Sequence, residues 1–111
     1  MSYFDMNGKQ YKLELGINEF IELEEIFGDL SRVDLENIKG IKTIRAFLWA
    51  CLLRNHAMSM LDVGNVIEQY LRDGNKAETI TEAMKVEIKK FGIIINPNNK
   101  NNNSDDNDKK K

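Results

Sequence analysis

The sequence predicts a mainly α fold: a small helical bundle of four to five helices with an N-terminal β-hairpin and a disordered C-terminal tail. Three observations predict it. Apolar residues recur at three- and four-residue intervals through most of the chain, the spacing that gathers them on one face of a helix. An early Asn7-Gly8 pair marks a tight hairpin turn, and beyond residue 95 apolar residues all but stop. With 111 residues there is length for one core and not two. The expected division is a helical domain with its hairpin over 1–95 and an Asn/Asp/Lys-rich tail over 96–111.

The hairpin comes first. A two-residue type I′ turn needs positive φ at both central positions, which Asn-Gly tolerates. That turn sets Met6 opposite Lys9, Asp5 opposite Gln10 and Phe4 opposite Tyr11. Phe4 and Tyr11 then share a face with Leu13 and Leu15. This apolar side must rest on helices, because an isolated hairpin is marginal in water. A first helix is expected over 18–27, with Asn18 as N-cap and Gly28 as its stop. Phe20, Leu23 and Phe27 form its buried stripe; Glu19, Glu22, Glu24 and Glu25 form a solvated face. Residues 31–39 read as a short helix closed by Gly40, with Leu35 and Ile38 inward.

Residues 41–55 carry the strongest helical pattern. Ile44, Phe47, Leu48, Cys51 and Leu52 make one stripe, while Trp49, Ala50 and Leu53 fill much of the remaining circumference. A helix apolar nearly all round is either central to its core or keeps a second apolar face for a partner. Ser59, with Asp62 three residues on, resembles a capping box. The helix it opens bears Val63, Val66, Ile67, Tyr70 and Leu71 on one side and stops near Gly74. A last helix over 76–91 groups Ile80, Ala83, Met84, Glu87 and Phe91. Gly92 ends it, and Ile93-Ile94-Ile95 forms an apolar strap.

Charge and composition exclude several classes. The chain holds 16 Lys and Arg against 18 Asp and Glu. The tail takes four Lys and three Asp of these, which leaves 12 basic and 15 acidic residues in 1–95, a net of −3. An acidic body lacks the phosphate contacts that nucleic-acid affinity draws on. Apart from Pro97 the tail has no apolar residue, so it cannot bury enough surface to offset its ordering entropy. No run approaches the ~20 apolar residues of a bilayer span. No basic-then-apolar start suggests secretion, and Cys51 has no second cysteine to pair with. A cytoplasmic location is expected.

Chemistry-bearing residues are sparse. His56, the only histidine, sits between two helices, where a capping or solvated role is expected. Cys51 lies on the most buried stripe and reads as a core hydrophobe. Asp105-Asp106-Asn107-Asp108 lacks the central Gly and closing Glu of a calcium loop. No catalytic, cofactor or metal site is expected, and the chain is read as no enzyme. The helices flanking His56 have helix-turn-helix spacing, but the second bears Asp62, Glu68 and Asp73 against Arg72 alone, which would repel phosphate. Met58 and Met60 bracket the turn beside Trp49 and Leu53. Flexible thioethers suit a surface that accepts partner helices, and equally suit gap-filling in a core.

The order of motifs resembles a known family. Leu23-Glu24-Glu25-Ile26-Phe27-Gly28 in the first helix is followed by Ile44-Arg45-Ala46-Phe47-Leu48-Trp49-Ala50-Cys51-Leu52-Leu53 in the central one. His56 and then Val63-Gly64-Asn65-Val66-Ile67 complete the pattern, which spans roughly residues 3 to 92. It is similar to the small tail assembly chaperones of long-tailed bacteriophages and gene-transfer agents. Ala57, where a Pro often follows the His, and the Asn-rich tail depart from it. The resemblance implies a non-enzymatic protein of the bacterial host cytoplasm that binds the tape-measure protein during tail assembly, with the tail tube protein as a further candidate partner. It implies no nucleic acid and no membrane, and leaves homo-oligomerisation open. Trp49, Leu53, Met58 and Met60 are the residues expected to contact the client. The alternative is a generic helical adaptor or a small transcriptional regulator with weak DNA binding.

Overall fold

A computed structural model describes residues 2–90. The expected tail over 96–111, the strap over 93–95 and the inward Phe91 lie outside the described residues. Strands β1 (Ser2–Met6) and β2 (Lys9–Leu13) pair antiparallel. Met6 faces Lys9, Asp5 faces Gln10 and Phe4 faces Tyr11, the register the turn dictates. Asn7 and Gly8 take φ of 56° and 81°, as a type I′ turn requires. Asn7 Nδ2 also donates to the Val66 carbonyl at 3.0 Å, tying the turn to a helix 59 residues away.

Four α-helices follow: α1 (Ile17–Phe27), α2 (Ile41–His56), α3 (Met60–Arg72) and α4 (Ala77–Lys89). A helix apolar nearly all round is expected to be central to its core or to keep a second apolar face for a partner, and α2 packs against α1, β2, α3 and α4. Its Phe47, Leu48, Cys51 and Leu52 are wholly buried. Leu13 and Leu15 close the core from the hairpin side, and Ile80, Met84 and Ile88 from α4. Phe27 stacks on Phe47 with ring centroids 5.7 Å apart, and Phe4 meets Tyr70 edge-on at 5.8 Å. Among the described residues no helix is long and apolar enough to cross a membrane.

Three expectations need correction. The first helix starts at Ile17 with Gly16, not Asn18, as N-cap: the Gly16 amide donates to Glu19 Oε1 at 2.7 Å, and the Gly16 carbonyl accepts from Phe20 N–H at 3.1 Å. Glu19 is therefore no member of a solvated face; it is buried. The helix expected over 31–39 shrinks to one 3₁₀ turn, Leu30–Arg32. Asp29 accepts from Ser31 N–H and Asp34 from Glu36 N–H, local side-chain bonds that hold turns in place of a continuing helix. Ile38 still reaches the core, as expected, while Leu35 is half-buried.

Candidate functional site

The site is built from a side of α2 that its neighbours cover only in part. Ile44, Ala46, Phe47, Leu48, Ala50, Cys51 and Leu52 occupy the rest of the circumference and are buried. Arg45, Trp49 and Leu53, spaced i, i+4 and i+8, lie one above another on the remaining side, each half-buried. Met58 lies in the short turn after α2, and Met60 opens α3; both are half-buried at the end where Leu53 lies. Trp49, Met58 and Met60 rest against the core by their inner atoms. The structure thus sets Trp49 and Leu53 on one stripe and the two methionines at its end. Leu61, next to Met60, is 70% exposed, which makes it the most exposed of the large apolar side chains among the described residues.

Two residues not singled out as site residues meet beside this stripe. A β-carbon placed on Gly64 would stand 3.3 Å from Arg45 Cδ and 3.8 Å from Arg45 Nη1. The arginine stem therefore crosses α3 at a position with no side chain. Arg45 Nε is buried, and among the described residues it has no hydrogen-bond partner. The signal was available: a Gly inside a helical pattern costs about 1 kcal/mol against Ala, which makes Gly64 a position to check for close packing.

The opposite flank of α2 is closed by polar partners. Arg54 reaches Glu19 Oε1 at 2.9 Å and Glu14 Oε2 at 3.3 Å, and Asn55 Nδ2 donates to Glu14 at 3.2 Å. The Asn55 bond and the charge of Arg54 hold the Glu14 carboxyl below the usual range. The free edge of β2 is also covered. Lys12 N–H donates to His56 Nε2 at 2.9 Å, and Glu14 N–H to the Cys51 carbonyl at 3.0 Å. His56 is thus neither a helix cap nor a solvated side chain. It is a neutral acceptor for a strand amide, edge-on to Tyr11 at 5.2 Å, with Ala57 at φ 49° closing the helix. Burial and nearby Lys9 push the imidazole pKa down.

The remaining ionisable groups of the core serve packing. Burial, with the charges of Glu87 and Glu19, drives the Cys51 thiol far up, so the sulfur stays protonated. Glu87 is buried on α4, where burial alone would raise its carboxyl. The bonds from Ser2 Oγ at 2.6 Å and Lys90 Nζ at 2.9 Å outweigh that and lower it. Among the described residues no group of three or more His, Cys, Asp or Glu could hold a metal ion. Comparison with protein-family models, with curated proteins and with solved structures finds no match to this chain.

Proposed function

We propose that this chain is a non-enzymatic tail assembly chaperone of a bacteriophage or prophage, acting in the bacterial cytoplasm. Its client is the long, helical tape-measure protein, held before the tail tube forms around it. The observation that carries this reading is the half-exposed stripe of Trp49 and Leu53 on α2, with Met58 and Met60 in the turn and helix start that follow. Recognition of an amphipathic helix needs accessible apolar side chains on a rigid element, and α2 is anchored on all its other sides. Arg45, Trp49 and Gly64, which belong to the motifs of the family resemblance, gather at this face, and His56 ties the helix end beneath it to β2. Ala57 replaces the Pro often found after the His. Its φ of 49° is closed to proline, so the turn here takes a form of its own.

A DNA-binding regulator is the weaker reading. The exposed side of α3 presents Asp62 and Glu68, and Arg72 is bound to Glu68 at 2.6 Å. The test is co-purification of the chain with the tape-measure protein of its own gene cluster. Trp49→Asp and Leu53→Asp are expected to abolish it while far-UV circular dichroism stays unchanged. Undiminished binding by both variants overturns the assignment of this face, and salt-sensitive binding to duplex DNA would favour the regulator.

A further inference from the structure

Arg45 is out of keeping with its surroundings. A guanidinium nitrogen held away from water without a partner is costly, and Arg45 has one in its Nε although the residue as a whole is only half-buried. On this acidic chain acceptors are plentiful: Arg54 holds two carboxylates and Arg72 one. Arg45 has neither an ion pair nor a hydrogen bond among the described residues. It is nevertheless held in place, with its stem laid over Gly64 and its Nε buried. One turn further along the same side stands Trp49, and one turn beyond that Leu53, both half-exposed.

A guanidinium with no partner among the described residues, its stem seated on α3 at the end of an apolar stripe, is complementary to a carboxylate carried one turn from an apolar side chain. Resting on the chaperone reading above, we propose that the client segment is an amphipathic helix with an acidic residue beside its apolar anchors. Its Asp or Glu pairs with Arg45 while the anchors cover Trp49 and Leu53. Burying that pair under the anchors excludes water and strengthens it, because a charge-assisted bidentate bond is worth most where solvent is displaced. The same pairing fixes the register of the client helix along α2, which the apolar stripe alone would leave free to slide.

The chain contains one tryptophan, so its intrinsic fluorescence reports on this stripe directly. The probes are two synthetic amphipathic peptides of about 20 residues, long enough to hold a helix. They are identical except for Glu or Gln at one position beside the apolar stripe. Wild-type chain is expected to bind the Glu peptide about tenfold more tightly, the scale of one charge-assisted bond. Arg45→Met is expected to abolish that preference, and Arg45→Lys to keep part of it, since an ammonium pairs without the bidentate fork. Gly64→Ala, which displaces the Arg45 stem, is expected to reduce it. Thermal melts of each variant serve as the folding control.

Equal affinity of the wild type for both peptides, binding of neither, or an undiminished preference in Arg45→Met overturns the proposal. So does displacement of the Glu peptide by duplex DNA, which would make phosphate the natural ligand of Arg45. The chaperone reading is scored separately by tape-measure co-purification. If that persists in Arg45→Met while the peptides are not distinguished, the carboxylate pairing falls and the chaperone reading stands.

Discussion

Arg54 and Arg45 leave the same helix two and a half turns apart and meet two different fates. Each lies against a glycine of a neighbouring segment: a β-carbon on Gly16 would stand 2.5 Å from Arg54 Nη2, and one on Gly64 3.3 Å from Arg45 Cδ. At Gly16 the guanidinium finds Glu19 and Glu14, and Glu19 in turn accepts from the amide of Gly16, the N-cap of α1. At Gly64 it finds nothing to pair with among the described residues. The contrast separates a cation that holds the fold together from one that the fold only positions. The first kind should be missed when removed; the second should be missed only by a partner.

The sharpest test removes each cation in turn. Arg54→Met strands the buried Glu19 carboxylate with only the Gly16 amide and is expected to cost about 1–3 kcal/mol of unfolding free energy in urea, moderated by the partial exposure of the arginine. Arg45→Met is expected to change stability by no more than about 0.5 kcal/mol, or to raise it, since it removes an unsatisfied buried nitrogen. Equal losses would erase the distinction.

The glycines give a smaller version of the same test. Gly16→Ala should cost about 1–2 kcal/mol by pushing Arg54 off Glu19. Gly64→Ala gains up to ~1 kcal/mol of helix propensity and needs only a flexible stem to shift, so its melting temperature should hold or rise.

The least effect is expected from pH on the closed flank. His56 has a lowered pKa because burial and Lys9 disfavour its cation, and Nε2 must stay unprotonated to accept from Lys12. The unfolded chain therefore takes up the proton first. The stabilisation is complete above the unfolded value of about 6.5 and is lost as pH falls through the lower folded value. Urea midpoints at pH 7.5 and 5.5 should differ for the wild type and differ less for His56→Gln, which keeps an acceptor that does not titrate.

Much of this fold was legible in the residues. Asn7-Gly8 dictates its turn through backbone sterics, and the hairpin register follows by counting outward. Ile44, Phe47, Leu48, Cys51 and Leu52 lie where their spacing puts them, because one stripe of α2 has to be buried in any arrangement. Ser59 caps α3 through a bond to Asp62 N–H three residues away. What escaped was set by competition or by distance. Asp29 and Asp34 won their local amides from a helix that the apolar pattern favoured. Glu19 looked solvated because its partner, Arg54, is 35 residues away. Trp49 and Leu53 were legible as lying off the buried stripe of α2, where both are half-buried, whereas the Arg45–Gly64 meeting depends on how α2 and α3 cross.

The sequence by itself determined the two strands with their register and the four α-helices, the central one among them, since each depends on bonds and periodicities within a few residues. Only the tertiary structure decided which charges meet a partner within the fold and which meet none among the described residues. A side chain's pairing depends on what another element brings within about 3 Å of it, and no local pattern records that meeting. On α2 that difference made one arginine a brace and left the other, beside the apolar stripe, without a partner among the described residues.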